Sequence, residues 1–226
     1  MLVVPRALPV GRRSVAASAG RLPGVTPRRG LAALPAGAPQ WSMGLLHYMN
    51  IASLDGYIAD REGRFDWARP DDDVHAAVND LLRTVSTYLY GRRVYEVMRV
   101  WDDPGIATDA PAVVRDFSHI WRAAEKIVYS RTLADVDTER TRLERGLDPD
   151  MVRALKRGSA ADLAIGGPGL AAAAFAEGLV DRVHLFIAPV TVGGGTPALA
   201  DQRLDLSLKE ERRIGRFVYL HYGVRM

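Results

Sequence analysis

The chain has 226 residues, of which 48% are hydrophobic and none is cysteine, so disulfides, thiolate nucleophiles and thiolate zinc sites are excluded. No stretch of the sequence approaches the roughly 18 to 20 consecutive apolar residues of a membrane span. The net charge of +3 is unevenly spread, because residues 1–42 contain six arginines and no acidic residue, whereas the remainder carries 24 basic and 27 acidic residues.

Residues 1–42 are rich in Pro, Gly, Ala and Arg and have no hydrophobic periodicity, which is typical of a segment outside a folded body. We interpret them as a disordered tail, a targeting segment or a mis-assigned start with translation beginning at Met43, and residues 43–226 as one domain. A chain that starts at Met43 is expected to keep the melting temperature and activity of the longer one. The positive charge lies in this leader, so it does not indicate a nucleic-acid site.

Strand-like and helix-like segments alternate from Met43 onwards. Residues 44–51 are mostly apolar and predict a buried strand, and three aspartates, Asp71 to Asp73, favour the start of a helix. The same reasoning predicts helices at 92–98 and 112–121, and strands at 88–90, 126–130 and 141–144.

The second half continues this alternation and then changes character. Asp148 and Pro149 are typical of a helix start, and two further strands are predicted at 162–166 and 182–190 with a helix between them. The tail alternates through Ile214, Phe217 and Tyr219, which indicates a closing hairpin. The predicted fold is therefore α/β, a doubly wound and mostly parallel sheet with an antiparallel C-terminal edge hairpin.

Three strand-to-helix junctions carry residues suited to an anionic ligand. They are Gly91-Arg92-Arg93, Ser130-Arg131 and Gly166-Gly167-Pro168-Gly169. In a doubly wound sheet such junctions line up at the carboxyl ends of the strands, where ligands bind. Helix N-termini suit a pyrophosphate, and arginines beside a serine suit a further phosphate. For the glycine turn at 166–169, tight packing is an equally good explanation.

Five motifs in order give the chain a resemblance to a known family. It resembles the dihydrofolate reductase-like superfamily, and within it the riboflavin-biosynthesis reductase domain, which is the C-terminal domain of the bacterial bifunctional deaminase-reductase, and its stand-alone relatives. The motifs are Ala52 to Ala59, Tyr90 to Glu96, Val128 to Leu133, Ile165 to Leu170 and Pro189 to Pro197.

The resemblance implies that the cofactor is NADPH. Residues on either side of the nicotinamide would be Ala52 and Ile58, and the adenosine 2′-phosphate would lie at Ser130 and Arg131. The phosphates would be held by Gly91, Arg92, Arg93 and Val94, and the pyrophosphate by Ile165, Gly166, Gly167, Pro168, Gly169 and Leu170.

The resemblance also implies a reaction. It is hydride transfer from NADPH to a C=N or C=O carbon of a small heterocyclic or phosphoribosyl substrate, as in 5-amino-6-(5-phosphoribosylamino)uracil reductase activity. The alternatives are a dihydrofolate or pteridine reductase and a non-catalytic NADPH-binding protein. A cytoplasmic homodimer is expected from the family, with a small molecule as its partner and neither nucleic acid nor a membrane.

The catalytic residues are not identified by the sequence, which offers two candidates. Asp55 follows the first strand and could contact the substrate, or it could hydrogen-bond its own turn before Gly56. His75 falls near the position where dihydrofolate reductases place a carboxylic acid, and an imidazole could donate a proton near neutral pH. Trp67 is a candidate wall of the substrate pocket. The histidines lack metal-ligand spacing, so we predict no metal site.

Overall fold

The computed structural model describes residues 43–225, so the interpretation of the leader lies outside the described part of the chain. Within residues 43–225, eight strands form the main sheet and two short ones form a separate ribbon. The main strands are β1 Leu46–Ser53, β3 Val85–Gly91, β4 Glu125–Tyr129, β5 Thr141–Glu144, β6 Asp162–Gly166, β7 Arg182–Ala188, β9 Leu206–Ile214 and β10 Phe217–Val224. The ribbon pairs β2 Tyr57–Ala59 with β8 Thr196–Pro197.

The strand order in the main sheet is β5-β4-β3-β6-β1-β7-β10-β9. All neighbours are parallel except at the C-terminal end, where β10 runs antiparallel to both β7 and β9. The predicted mostly parallel sheet with an antiparallel edge hairpin is therefore confirmed.

Helices cover both faces of the sheet. They are α1 Asp72–Leu82, α2 Arg92–Met98, α3 Pro104–Asp109, α4 Ala112–Ala123, α5 Pro149–Gly158 and α6 Pro168–Ala176, with 3-10 turns at Asp66–Ala68 and Arg99–Asp102. One apolar core lies under α1, α2 and α4 and contains Val78, Met98 and Phe117. The other lies under α5 and α6 and contains Val152 and Phe175. The two layers confirm the doubly wound architecture.

Helix capping follows the sequence closely. The Asp71 carboxylate accepts a hydrogen bond from the N–H of Val74 at 3.0 Å, and the Asp148 carboxylate accepts one from Asp150 at 2.9 Å. These bonds satisfy N–H groups that have no partner within the helix. The short helix α3 was not predicted, because six residues carry too little periodicity to be distinguished from a loop.

Candidate functional site

The three predicted phosphate junctions lie along one edge of the sheet. Strands β4, β3, β6, β1 and β7 are consecutive parallel neighbours, so their carboxyl ends meet there. Gly91 ends β3, Gly166 ends β6, and Ser130 directly follows β4. The strand order therefore places the three junctions next to one another, as binding of one extended ligand requires.

The N-termini of α2 and α6 lie side by side at this edge. Gly91 precedes α2 and Gly167 precedes α6, and neither helix start has a hydrogen bond from a capping side chain. A Cβ atom added to Gly167 would lie 3.6 Å from the backbone nitrogen of Gly91. Two helix ends with first-turn N–H groups and the positive ends of their dipoles thus meet at one place.

Two of the three glycines in the junction at 166–169 have a steric or conformational reason. A Cβ atom on Gly166 would lie 3.0 Å from the ring of Tyr90 and 3.2 Å from the side chain of Val94. Gly167 has a φ of +103°, a conformation that L-residues rarely adopt. Packing accounts for Gly166 and backbone conformation accounts for Gly167, while the phosphate role of this turn stays a prediction.

Three arginines lie beside these helix ends, and all are exposed. Arg92 is 3.6 Å from Glu96 in the next turn of α2. Arg93 and Arg131 form no ion pair with any residue in the 43–225 range. Their guanidinium groups are therefore available to an anion, and they lie at the ends of the neighbouring strands β3 and β4.

Ser130 organises the loop that carries Arg131. Its hydroxyl oxygen accepts hydrogen bonds from the N–H groups of Thr132 at 3.2 Å and Leu133 at 2.9 Å. A hydroxyl has two acceptor lone pairs and one proton, so Ser130 keeps a proton that it could donate to a ligand. Arg145 donates to the carbonyl oxygens of Ser130 and Leu133 at 3.2 and 2.6 Å. Arg145 was missed because such a long-range contact leaves no signal in a single sequence.

Ala52 and Ile58, the predicted neighbours of the nicotinamide, are both buried and belong to the same apolar cluster. Ala52 is the penultimate residue of β1, and Ile58 lies in the centre of β2. Asp55 lies between them, and its two carboxylate oxygens accept hydrogen bonds from the N–H groups of Val192 and Gly193. Asp55 therefore bonds to a distant loop as well as to its own turn, where the Ser53 hydroxyl and the Asp55 N–H also donate to the carboxylate. Its contact with substrate stays a prediction.

His75 is 5% exposed and lies within the helical layer. Its ring contacts the aromatic rings of Trp101 and Phe117, at centroid distances of 6.2 and 5.8 Å. Burial among these rings lowers the pKa of His75 to about 4. The imidazole is therefore neutral at physiological pH, which does not suit a proton donor there, and it is not a surface residue.

Trp67 lies in the 3-10 turn Asp66–Ala68 and is half-buried against the core under α1, α2 and α4. The same core contains Met49 of β1, which is buried. The role of Trp67 as a pocket wall stays a prediction.

Two negative findings apply to the residues that the structure describes. No helix among them is both long enough and apolar enough to cross a membrane. Their histidine and carboxylate side chains form no cluster of three or more that could hold a metal ion.

Comparisons with known proteins place the chain in a family. A model of the RibD C-terminal domain matches residues 46–219. The uncharacterized protein YyaP of Bacillus subtilis (strain 168) is 28% identical over 158 residues, which span 70% of this chain and 81% of YyaP.

Two solved structures share the fold. A protein of Shewanella sp. PV-4 assigned to riboflavin biosynthesis is similar with a TM-score of 0.64 and 21% identity, over 80% of this chain and 99% of that one. The diaminohydroxyphosphoribosylaminopyrimidine deaminase/5-amino-6-(5-phosphoribosylamino)uracil reductase of Thermotoga maritima has a TM-score of 0.58 and 15% identity, over 81% of this chain and 57% of that one. With the family match over most of its length, the chain belongs to the RibD C-terminal domain family, the reductase domain of riboflavin biosynthesis, which implies oxidoreductase activity.

Proposed function

We propose that the chain is an NADPH-dependent reductase that transfers hydride to a C=N or C=O carbon of a small heterocyclic or phosphoribosyl substrate. The observation that carries this proposal is the meeting of two helix N-termini without a capping side chain, at Gly91 and Gly167, near Arg93 and Arg131, which have no ion-pair partner within residues 43–225. The name of the Thermotoga maritima relative includes 5-amino-6-(5-phosphoribosylamino)uracil reductase, and we propose a substrate of that class here.

The residues at this edge fit a dinucleotide. First-turn N–H groups of α6 would bind the pyrophosphate, because backbone donors and the helix dipole both favour an anion there. A larger residue at position 167 would place its Cβ atom beside the backbone nitrogen of Gly91, so glycine leaves space for a phosphate between the two helix ends. Arg131 and the free hydroxyl proton of Ser130 would bind the 2′-phosphate that distinguishes NADPH from NADH.

When bound, NADPH supplies the hydride. The chain's own contribution would be to hold the phosphates at the ends of β3, β4 and β6, so that the reactive end of the cofactor is oriented for hydride transfer. Asp55 has both oxygens engaged by backbone N–H groups, and His75 is buried and neutral, so neither suits the proton donor. We therefore assign protonation of the substrate to water.

Fluorescence titration with NADPH and NADH, followed by a substrate panel read by loss of NADPH absorbance, tests the function. We expect saturable binding with a preference for NADPH and turnover of a pyrimidine or phosphoribosyl substrate. Turnover of dihydrofolate would instead identify a pteridine reductase, and tight binding without turnover a non-catalytic protein. Absence of saturable NADPH binding would overturn the proposal.

We also propose that the protein works as a homodimer in the cytoplasm, as the family resemblance implies. The apolar side chains of Leu208 and Val218 on the edge hairpin are about half exposed, which is consistent with a partner surface there. Light scattering of the purified protein measures its mass in solution. A monomeric mass at micromolar concentration would remove this expectation.

A further inference from the structure

We propose that Asp55 is a positioning residue, which holds the triple-glycine loop Gly193-Gly194-Gly195 in place at the carboxyl ends of β1 and β7. This inference rests on the proposed reductase function, because it assigns the loop a part in orienting the nicotinamide. It also replaces a direct substrate contact as the task of the Asp55 carboxylate.

The loop depends on contacts from outside because it has little rigidity of its own. Its three glycines have φ values of +73°, +144° and +134°, all in regions that only glycine adopts readily. Three consecutive glycines also lose more conformational entropy on ordering than any other tripeptide. A single loop geometry therefore requires hydrogen bonds that offset this loss of conformational entropy.

Asp55 supplies bonds on one side of the loop. Its carboxylate accepts a hydrogen bond from the Gly193 N–H at 2.7 Å and from the Val192 N–H at 3.1 Å. Hydrogen bonds to an ionised acceptor are about twice as strong as neutral ones. The Ser53 hydroxyl and these two N–H groups lower the pKa of Asp55, so the carboxylate stays ionised at physiological pH.

Arg61 supplies a bond on the other side. Its guanidinium donates to the carbonyl oxygen of Gly193 at 2.8 Å. A Cβ atom on Gly194 would lie 2.6 Å from Nε of Arg61, and one on Gly195 would overlap the carbonyl oxygen of Ala59. The segment that follows β1 thus contacts all three glycines of the loop.

Backbone bonds tie both segments to the strand ends. The Leu54 N–H donates to the carbonyl oxygen of Val190 at 2.7 Å, and the Ala198 N–H donates to that of Gly56 at 2.8 Å. Ser53 connects the end of β1 to this unit, since its hydroxyl oxygen accepts the N–H of Tyr57 at 2.9 Å. The position of the loop is therefore set relative to Ala52, the predicted neighbour of the nicotinamide.

The phosphates would bind at β3, β4 and β6, away from Asp55. Loss of the Asp55 bonds should therefore leave affinity for the cofactor largely intact and disturb the orientation of its reactive end. A misplacement of about 1 Å can lower a rate by about a hundredfold. We expect Asp55→Asn to lower kcat by about tenfold or more, with the Kd for NADPH within about threefold of the original.

Hydrogen exchange of the Val192 and Gly193 amides, measured without cofactor, tests the first half of the inference. Asp55→Asn should speed their exchange by about tenfold, a loss of about 1.4 kcal/mol in protection. The matched control is Asp60→Asn, because the Asp60 carboxylate binds Glu62 and Arg64 within its own turn and not the glycine loop. This control should leave the two amides unchanged.

Steady-state kinetics with the substrate found in the panel test the expected fall in kcat. Asp55→Glu, which keeps a carboxylate, should have a higher kcat than Asp55→Asn. If Asp55→Asn does not fold, Arg61→Ala removes the opposite bond and should shift exchange and kcat in the same direction. Unchanged exchange, or faster exchange with unchanged kcat, would overturn the inference. A wild-type protein that fails to bind NADPH would overturn the reductase function and with it the task of Asp55, whereas the exchange data would still show whether the carboxylate holds the loop.

Discussion

The Nδ1 atom of His47 lies 2.9 Å from the Nε2 atom of His184, within a chain of polar contacts that crosses four strands. His184 Nδ1 is 2.8 Å from the Tyr219 hydroxyl, and His47 Nε2 is 3.3 Å from an Asp162 oxygen. The carboxylate beside Nε2 is an acceptor, so we assign the His47 proton to Nε2, and Nδ1 then accepts from His184. Tyr219 then donates to His184. Both histidines are neutral with defined tautomers.

His221 completes the cluster, with its ring 4.4 Å from that of His184. Burial lowers the pKa of all three histidines, in His184 to about 3. The nearby Arg182 acts in the same direction on all three, whereas Asp162 and Asp181 raise the pKa of His47. At His221, Lys209 of β9 lowers the pKa and Glu210 raises it, and the other charged groups that act on the cluster are Asp162, Asp181 and Arg182.

The first prediction is that acid destabilises the fold through this cluster. Below a pH of about 6.5 the unfolded histidines bind protons that the folded ones do not, so the free energy of unfolding falls as the pH drops toward about 3. Each neutral histidine adds a slope of up to about 1.4 kcal/mol per pH unit. Urea unfolding at pH values from about 4 to about 7, a range that includes the ordinary histidine pKa, measures how the free energy of unfolding depends on pH.

His184→Gln should reduce the slope of the free energy of unfolding against pH by up to the contribution of one proton, even if the substitution lowers stability at every pH. The matched control is His119→Gln, since His119 is exposed on α4 and lies outside the stacked rings. Equal slopes for His184→Gln and the unmodified protein would contradict the assignment.

A second prediction concerns cofactor choice. Arg131→Ala should weaken the binding of NADPH by about ten- to a hundredfold, because a charged hydrogen bond is worth about 1.5–3 kcal/mol. The binding of NADH, which lacks the 2′-phosphate, should change little. Fluorescence titration measures the dissociation constants of both cofactors. Arg157→Ala is the matched control, as this exposed arginine ends α5 at the opposite edge of the sheet, and equal losses for the two cofactors would refute the role of Arg131.

A third prediction concerns Gly167. Alanine there must adopt a φ of +103°, which costs on the order of 1–3 kcal/mol, so Gly167→Ala should lower the free energy of unfolding by that amount. Gly158→Ala is the control, because a Cβ atom at Gly158 meets no neighbour within 4 Å. Urea unfolding of both variants gives the comparison, and a Gly167 variant as stable as the unmodified chain would be the contrary result.

A fourth prediction concerns the buried ion pair between Lys156 and Asp181, whose Nζ and Oδ2 atoms are 2.6 Å apart. Lys156 also donates to the carbonyl oxygen of Leu179, and Asp181 accepts the N–H of Leu46. Lys156→Met should cost about 3–5 kcal/mol, because it leaves a carboxylate with little solvent and no counterion.

Denaturant unfolding measures this loss. The double variant with Asp181→Asn should recover part of it, since no uncompensated charge remains. The exposed pair of Arg203 and Asp205 supplies the comparison, as Arg203→Met removes a solvated ion pair and should change stability little. Similar effects at the two pairs would contradict the prediction.

Local signals account for much of what was predictable. The caps at Asp71 and Asp148 and the glycine turn at 166–167 each require particular residues at adjacent positions, so a single sequence reveals them. The same holds for the alternation of strands and helices, which follows from hydrophobic periodicity.

The fold class, the family resemblance and the residues at each strand end can be recognised from the chain alone, because they depend on neighbouring positions. What those residues contact depends on the folded structure. It buried His75 among aromatic rings, directed the Asp55 carboxylate to Gly193 and brought His47 to His184 across 137 positions. Such relationships arise from strand order and register, which are set by packing of the whole sheet and leave no local pattern to detect.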